Sequence, residues 1–115
     1  LRAVVSALKV SSHLERIADY AVNIAKRTLT LGEDQGDMPI SAIKTMVEIV
    51  KKMINDIIHA YEESDYTLAM EVWNRDKEID NLYKGYLREI LIYMMEKPQR
   101  IGIYMELLFV AKHLE

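Results

Sequence analysis

The sequence predicts an all-α fold, an antiparallel helical bundle of about four helices, and two observations support this prediction. The chain has 115 residues but only 4 glycines and 2 prolines, the residues that most often interrupt helices. Apolar residues recur at spacings of three and four along most of the chain, which places them on one face of each helix. With 50% hydrophobic residues, the chain can form one domain with a modest core.

The first predicted helix runs from residue 1 to Leu31, because Gly32 suits the left-handed conformation that ends many helices. Helical periodicity divides this helix into two faces, of which the apolar one is expected to pack against the other helices. The predicted apolar face carries Val10, Leu14, Ile17, Ala18, Ala21, Ile24 and Ala25. The predicted polar face carries Arg2, Lys9, His13, Arg16, Tyr20 and Arg27.

A polar loop at residues 33–39 precedes the second predicted helix, and Ser41 is the predicted N-cap of that helix. One apolar stripe then continues over about five turns, with charged residues on the opposite face. We therefore expect this helix to be scaffold, with one face toward the core. The stripe consists of Ile43, Met46, Val47, Val50, Ile54, Ile57 and Tyr61.

Asp65 is predicted to cap a third helix over residues 66–96, because aspartate accepts hydrogen bonds from the free amides of a first turn. Lys97-Pro98 ends this helix, since the residue before a proline is disfavoured in the helical conformation. A last apolar helix is expected from about Arg100 to the end of the chain. The predicted seam of the third helix is Ala69, Val72, Asp76, Ile79, Tyr83, Tyr86, Ile90 and Tyr93.

Two pairs of carboxylates, each one helical turn apart, are the main chemical signal in the sequence. Glu15 and Asp19 lie on the first helix between its two faces, and Asn23 follows one turn later. Asp76 and Asp80 repeat this spacing on the third helix. Such oxygen-rich ladders suit hard cations or iron, and the chain has no cysteine that could provide a thiolate site.

Each pair also has a structural interpretation. The first pair is equally typical of a solvent-exposed helix face, where such charges are common. Asp76 occupies a position where the spacing calls for an apolar residue, and a lone carboxylate in a seam is costly. It therefore either binds a ligand or forms an ion pair. The candidate partners for that ion pair are Arg75, Lys77 and Arg16.

A short internal repeat links the two ends of the chain. Residues 108–115 align with residues 8–15 at an offset of one hundred and share a leucine, a valine and the triplet His-Leu-Glu. The second copy ends at Glu115, before the Arg-Ile-x-Asp that follows Glu15 in the first copy. We therefore expect the chain to be a fragment of a longer protein.

These segments resemble the PhoU family, the accessory regulators of phosphate-specific transport. Residues 1–5 and 14–19 are similar to the first signature helix of that family. Residues 76–83 resemble the acidic segment of its second repeat, residues 93–96 the end of that segment, and residues 107–115 the opening of the second signature helix. The resemblance covers essentially the whole chain in order.

The resemblance implies both a domain division and a metal site. Proteins of this family are two tandem three-helix bundles, so residues 1–31 would be the last helix of a first repeat and residues 40–115 most of a second. The family binds multinuclear metal clusters, often of iron, through acidic pairs on neighbouring helices. Zinc, manganese and magnesium are the alternatives to iron. Carried over to this sequence, the implied metal ligands are Glu15, Asp19, Asp76, Asp80 and Glu115.

The resemblance further implies a regulator of phosphate uptake and phosphate signalling that is an adaptor and not an enzyme. Its implied partners are the ATP-binding subunit of the phosphate ABC transporter and a sensor histidine kinase. The residues themselves offer no glycine-rich phosphate loop and no nucleophile motif. The net charge of −3 disfavours nucleic acid as a partner. No apolar run reaches the ~20 residues of a membrane span, which favours a cytoplasmic protein that is peripheral to the membrane at most.

The alternative function is a generic helical module for protein interaction or oligomerisation without metal. Apolar faces that lack their usual neighbours predict a homodimer or higher oligomer in either case. By spacing, His13 and His113 are expected on exposed helix faces, where a histidine needs no partner. Asp56 and His59 are three residues apart and form a weak candidate for half of a metal site.

Overall fold

The computed structural model describes residues 1–32 and 38–115, and within them it confirms the predicted all-α bundle. The described part contains no strand and has the dimensions of a rod, 55 × 24 × 18 Å. The predicted loop falls largely on residues 33–37, which lie outside the described ranges. The elements are α1 (Arg2–Leu31), α2 (Ser41–Glu63), α3 (Tyr66–Glu96), a 3₁₀ turn (Pro98–Arg100) and α4 (Ile101–Leu114).

The helix ends follow from local sequence at most of the predicted positions. Gly32 ends α1 with φ +61°, and its amide donates to the carbonyls of the last turn. The side chain of Asp65 accepts a hydrogen bond from the Leu68 amide over 3.0 Å, so the predicted cap of α3 is confirmed. Lys97 ends α3 before the proline, as predicted. Between α2 and α3, Ser64 takes the left-handed conformation with φ +53° although it is not a glycine.

The predicted N-cap at Ser41 is wrong. Ile40 is the N-cap of α2, and no side-chain hydrogen bond caps this end. The Ile40 carbonyl already accepts from the Lys44 amide over 3.0 Å, so the helix includes Ser41 as its first residue. The backbone carbonyl of Ser41 instead accepts a hydrogen bond from the Thr45 hydroxyl. The serine therefore contributes to the first turn through its backbone.

The core lies where α2, α3 and α4 meet. Tyr86 is fully enclosed there, and its hydroxyl donates a hydrogen bond to the Pro39 carbonyl over 2.7 Å. Burial raises the pKa of Tyr86 above its usual range, because the ionised phenol would be poorly solvated at this position. This hydrogen bond joins the segment before α2 to the middle of α3. The buried cluster consists of Met46, Ile79, Tyr86, Ile90, Tyr104, Leu107 and Ala111.

The predicted seam of α3 is correct at most positions, but Asp76 is exposed and not in the core. The buried residues of α3 are Val72, Ile79, Tyr86 and Ile90, so burial repeats mainly every seven residues. Asp76 lies between the buried residues Val72 and Ile79, at the edge of this narrow contact line. A carboxylate at that edge remains hydrated. The expected cost of an unpaired seam carboxylate therefore does not arise.

The apolar stripe of α2 is buried only in its first half. Met46 is enclosed, whereas Ile57 is 40% exposed and Tyr61 is 54% exposed. The second half of α2 still pairs with α3 through Asp56, whose carboxylate accepts a hydrogen bond from Arg75 over 2.6 Å. The unburied end of the stripe therefore faces a groove on the surface.

Helix α1 is the peripheral element of the described structure. It packs against α4 alone among the described helices, and none of its residues is buried. The predicted division of α1 into faces is only partly correct, because Tyr20 and Arg27 of the predicted polar face contact α4. Leu14 and Ile17 of the predicted apolar face remain 42% and 40% exposed. The division of the chain into residues 1–31 and 40–115 as parts of two repeats stays a prediction.

Candidate functional site

The contact between α1 and α4 positions the candidate site. The Tyr20 ring stacks on the His113 ring with centroids 5.4 Å apart and planes 13° from parallel. Two turns further along α1, Arg27 forms an ion pair with Glu106 over 3.1 Å and lies 4.3 Å from the centroid of the Phe109 ring. The earlier residue of α1 contacts the later residue of α4, and the later residue of α1 contacts the earlier one. The two helices are therefore antiparallel.

An acidic cleft of about 520 Å³ opens where this contact meets α3. Asp76 and Asp80 reach it from one turn of α3, and Glu115 reaches it from the end of α4. We call this feature the acidic cleft. Its described lining residues are Tyr20, Asp76, Asp80, Lys112, His113 and Glu115.

Lys112 is the cation of the acidic cleft. Its Nζ lies 3.0 Å from Oε2 of Glu115 and 5.2 Å from the centroid of the Tyr83 ring. The hydrogen bond to Glu115 and the charge of that carboxylate raise the pKa of Lys112, and Tyr83 and Asp80 add smaller contributions in the same direction. Groups from both α3 and α4 therefore favour the charged form of this ammonium.

The predicted metal ligands fall into two sets. Asp76, Asp80 and Glu115 line one cleft, although they are widely separated in sequence. Glu15 and Asp19 are exposed on α1 and lie outside that cleft. Neither of them forms an ion pair with another described residue. The structure thus brings three of the five predicted ligands together and leaves the α1 pair on the surface.

In the arrangement observed, the cleft does not fit a metal ion. Carboxylate oxygens are suitable donors for a hard cation or iron. However, no group of three or more histidine, cysteine, aspartate or glutamate side chains in residues 1–32 and 38–115 is placed to hold one. The Lys112 ammonium already forms an ion pair with Glu115. A metal would therefore need Glu115 to be released from this pair.

Sequence reasoning missed three residues of the acidic cleft: Tyr20, Lys112 and His113. His113 was expected on an exposed face, but it is partly buried and stacked, and its Nε2 is enclosed without a hydrogen-bond partner among the described residues. The internal repeat did point to the His-Leu-Glu triplet. Lys112 carries a weaker signal, its position three residues before Glu115, which is ion-pair spacing on a helix.

The other candidates from the sequence have structural partners. Arg75 was a candidate partner for Asp76, but it pairs with Asp56 at 2.6 Å instead. Asp56 is thereby engaged in joining α2 to α3, which disfavours its use with His59 as half of a metal site. Among the described residues, neither Lys77 nor Arg16 forms an ion pair with Asp76.

A second concave feature, the apolar groove, lies between the first half of α1 and the turn that joins α2 to α3. Its volume is about 910 Å³. Ile57, Ile58 and Tyr61 line it from α2, and Leu14 and Ile17 line it from α1. These side chains include the exposed ends of two predicted apolar faces. The groove is therefore where the predicted stripes lack a neighbour in the described structure.

Fold and cleft together define an all-α bundle protein with a carboxylate-lined site. A family model for the PhoU domain matches residues 1–28 and 43–115. The chain belongs to the PhoU family, and the resemblance identified from its sequence is thereby confirmed.

Curated relatives match this chain over its full length. A phosphate-specific transport system accessory protein PhoU homolog of Caulobacter vibrioides is 44% identical, and the match covers 50% of that protein. Relatives with the same description in Zymomonas mobilis and Aquifex aeolicus are 42% and 40% identical, with 48% and 52% of their lengths covered. The chain thus spans about half the length of these relatives. None of its described helices is both long and apolar enough to cross a membrane.

Proposed function

We propose that this chain belongs to a regulator of phosphate uptake and phosphate signalling. The observation that carries the proposal is the match of the whole chain to proteins described as phosphate-specific transport system accessory proteins. These relatives are 40–44% identical to this chain over its full length. The family descriptions name an accessory role, and we propose that the chain acts by binding partners and not by catalysis.

The proposed partners are the ATP-binding subunit of the phosphate ABC transporter and a sensor histidine kinase. An adaptor between them needs a rigid body with accessible surfaces, and the bundle supplies a buried core with an apolar groove on its outside. The proposed location is the cytoplasm, where an ATP-binding subunit is found, with at most peripheral contact with the membrane. We further propose that the chain forms a homodimer or higher oligomer.

The metal-binding part of the proposal assigns the ligands to Glu15, Asp19, Asp76, Asp80 and Glu115. Iron is the proposed metal, with zinc, manganese or magnesium as alternatives. The convergence of Asp76, Asp80 and Glu115 on the acidic cleft supports the assignment of these three residues, whereas Glu15 and Asp19 lie outside the cleft. Bound metal would supply positive charge that draws these carboxylates together. In the arrangement observed, the described residues do not provide such a site.

A direct binding experiment tests the adaptor proposal. The chain is immobilised, and binding of the purified ATP-binding subunit and of the cytoplasmic part of the kinase is measured by biolayer interferometry. We expect binding of both, weakened at least tenfold by Ile58→Glu in the apolar groove. Ile92→Glu is the matched control, because Ile92 is exposed on α3 away from the groove.

Two outcomes would contradict the proposal. In the first, the ATP-binding subunit of an unrelated transporter binds equally well, which would remove the specificity of this chain for phosphate transport. Alternatively, neither partner binds at micromolar concentrations, which would favour the second candidate function. That candidate is a helical interaction module without metal, and the observation in its favour is the apolar groove of about 910 Å³.

A further inference from the structure

The outer face of α3 combines exposed apolar residues with basic ones and carries no acidic residue between positions 66 and 88. Helical spacings of three, four and seven align these side chains on one side of the helix, opposite the buried line of α3. All of them are exposed. We call this surface the α3 ridge, and it consists of Tyr66, Met70, Trp73, Lys77, Lys84 and Arg88.

The first part of the α3 ridge has the composition of a protein interface. Trp73 is the only tryptophan in the chain, and it is 72% exposed. Tyr66 and Met70 beside it are 81% and 57% exposed. Tryptophan, tyrosine and methionine are enriched in interfaces, and buried tryptophan contributes strongly to binding. Three such side chains in succession are typical of an interaction site.

The second part of the α3 ridge offers positive charge without a counter-ion. Lys77, Lys84 and Arg88 form no ion pair with any described residue. Lys84 and Arg88 are one helical turn apart, so their like charges repel each other. Asp80 lies one turn before Lys84, but it lines the acidic cleft. A carboxylate from a partner would relieve this repulsion and accept hydrogen bonds from these cations.

Glutamates along one edge of the α3 ridge distinguish a protein partner from a membrane. Glu71, Glu78 and Glu89 are exposed, and helical spacing places them about a quarter turn from the ridge. An anionic bilayer presents one sign of charge, so it would attract the ridge and repel this edge. A helix can place carboxylates opposite the ridge and cations opposite the edge, as paired helices do in coiled coils. The charge pattern therefore favours a helix.

We propose that the α3 ridge binds an acidic amphipathic helix of a partner protein. The carboxylates of that helix pair with Lys77, Lys84 and Arg88. An apolar side chain of the same helix packs on Trp73. This inference rests on the proposed function as an adaptor and gives the chemistry of a partner. Tyr66 also lines the apolar groove, so the ridge begins at the edge of that groove and continues from it for about 33 Å.

Charge reversal on the α3 ridge tests this proposal. The probes are the purified ATP-binding subunit and the cytoplasmic part of the kinase, and binding is measured by biolayer interferometry. The test variant carries Lys77→Glu and Lys84→Glu. The matched control carries Lys44→Glu and Lys52→Glu, which change the net charge equally at exposed positions of α2 outside the groove. Circular dichroism confirms the folding of each variant.

We expect the test variant to bind at least one probe about tenfold more weakly at about 50 mM NaCl, mainly through slower association. The difference from the parent should shrink at about 500 mM NaCl, because salt screens the attraction. The control should bind as the parent does.

Three outcomes would overturn the proposal in distinguishable ways. Equal binding by the parent and the test variant would exclude the ridge while leaving the adaptor function intact. An equal loss in the control would show an effect of net charge alone. Absence of binding by the parent to both probes would contradict the adaptor function, and the ridge proposal with it.

The single tryptophan allows the contact itself to be observed. A chain labelled with fluorotryptophan has one fluorine NMR signal, from Trp73, which is followed as the unlabelled probe is added. We expect this signal to shift when the probe binds, and to stay unchanged with vesicles of phosphatidylcholine and phosphatidylglycerol. A signal that does not move while the probe binds would overturn the proposal. A shift with the vesicles and not with the probe would replace the protein partner with a membrane.

Discussion

Arg27 of α1 and Glu106 of α4 form an ion pair in which Nη1 of the arginine donates to Oε2 of the glutamate over 3.1 Å. The two side chains are only 26% and 27% exposed, so this pair is better shielded than a surface salt bridge. The guanidinium also lies over the Phe109 ring. Because α1 has no buried residue, this contact and the Tyr20–His113 stack are specific side-chain contacts that attach it to the bundle.

Replacement of Arg27 should loosen α1 while the rest of the bundle stays folded. We expect Arg27→Met to lower the free energy of unfolding by about 1–2 kcal/mol, through loss of the ion pair and the cation–π contact. Amide hydrogen exchange should accelerate along α1 more than along α3. Arg16→Met on the exposed surface of α1 is the control and should change neither quantity. Uniform acceleration across all helices would contradict independent loosening of α1.

Tyr86→Phe tests the hydrogen bond from the core to the segment before α2. The variant keeps the buried ring but leaves the Pro39 carbonyl without its donor, so we expect a loss of about 1 kcal/mol in urea unfolding. Tyr61→Phe is the control, since the Tyr61 ring is largely exposed. Equal, negligible effects of both variants would show that water replaces the phenol at Pro39.

The raised pKa of Tyr86 also predicts a dependence of stability on pH. The phenol ionises near pH 10 in the unfolded chain but only at higher pH in the folded chain. Its contribution is therefore fully present below about pH 10, and it is lost as pH rises through the folded pKa. The difference in unfolding free energy between the parent and Tyr86→Phe should shrink from pH 8 to pH 11. A constant difference would contradict burial as the cause of the shift.

The two helix starts predicted to have side-chain caps should respond differently to alanine. Asp65→Ala removes the hydrogen bond to the Leu68 amide and should cost about 0.5–2 kcal/mol in chemical denaturation. Ser41→Ala should change stability by less than about 0.5 kcal/mol, because that side chain caps nothing. Similar losses at both positions would contradict the start of α2 at Ile40.

Ser64→Gly should stabilise the chain. Ser64 holds a left-handed conformation that glycine adopts without strain, and helices commonly end in this way with glycine. We expect a gain of about 0.5–1 kcal/mol, read as a higher midpoint in thermal unfolding. Thr67→Gly, inside the first turn of α3, is the control and should destabilise by a similar amount. A lower midpoint for Ser64→Gly would contradict strain at this turn.

The sequence allowed the helices to be predicted closely, because their ends are encoded locally. Asp65 and Lys97-Pro98 delimit α3 at both ends through short-range chemistry. The face that each helix buries was less predictable, since spacing does not reveal which neighbour a face meets. Tyr20 and Arg27 look polar in sequence, yet both contact α4. Asp76 looked buried because a spacing of three and four was assumed where burial repeats mainly every seven residues.

The acidic cleft was predictable only in part. The carboxylate spacing pointed to Asp76 and Asp80, the family resemblance added Glu115, and these three residues line one cleft in the structure. The position of Lys112 in the cleft depends on contacts that join α3 to α4. Residue spacing within one helix does not reveal such contacts. A sequence motif shows which carboxylates are present. Which cation lies beside those carboxylates depends on how helices distant in sequence pack together.

Self-association is the last prediction, and it follows from the surface of α1. Val4 and Leu8 are 59% and 67% exposed and lie one turn apart on a face that the described bundle leaves uncovered. We expect sedimentation velocity to show a homodimer or larger species that increases with protein concentration. Val4→Lys with Leu8→Lys should shift the equilibrium toward monomer, because burying two ammonium groups in an apolar contact is costly. Ile92→Lys is the control for one exposed aliphatic residue on α3. A monomer at all concentrations in the parent chain would contradict self-association.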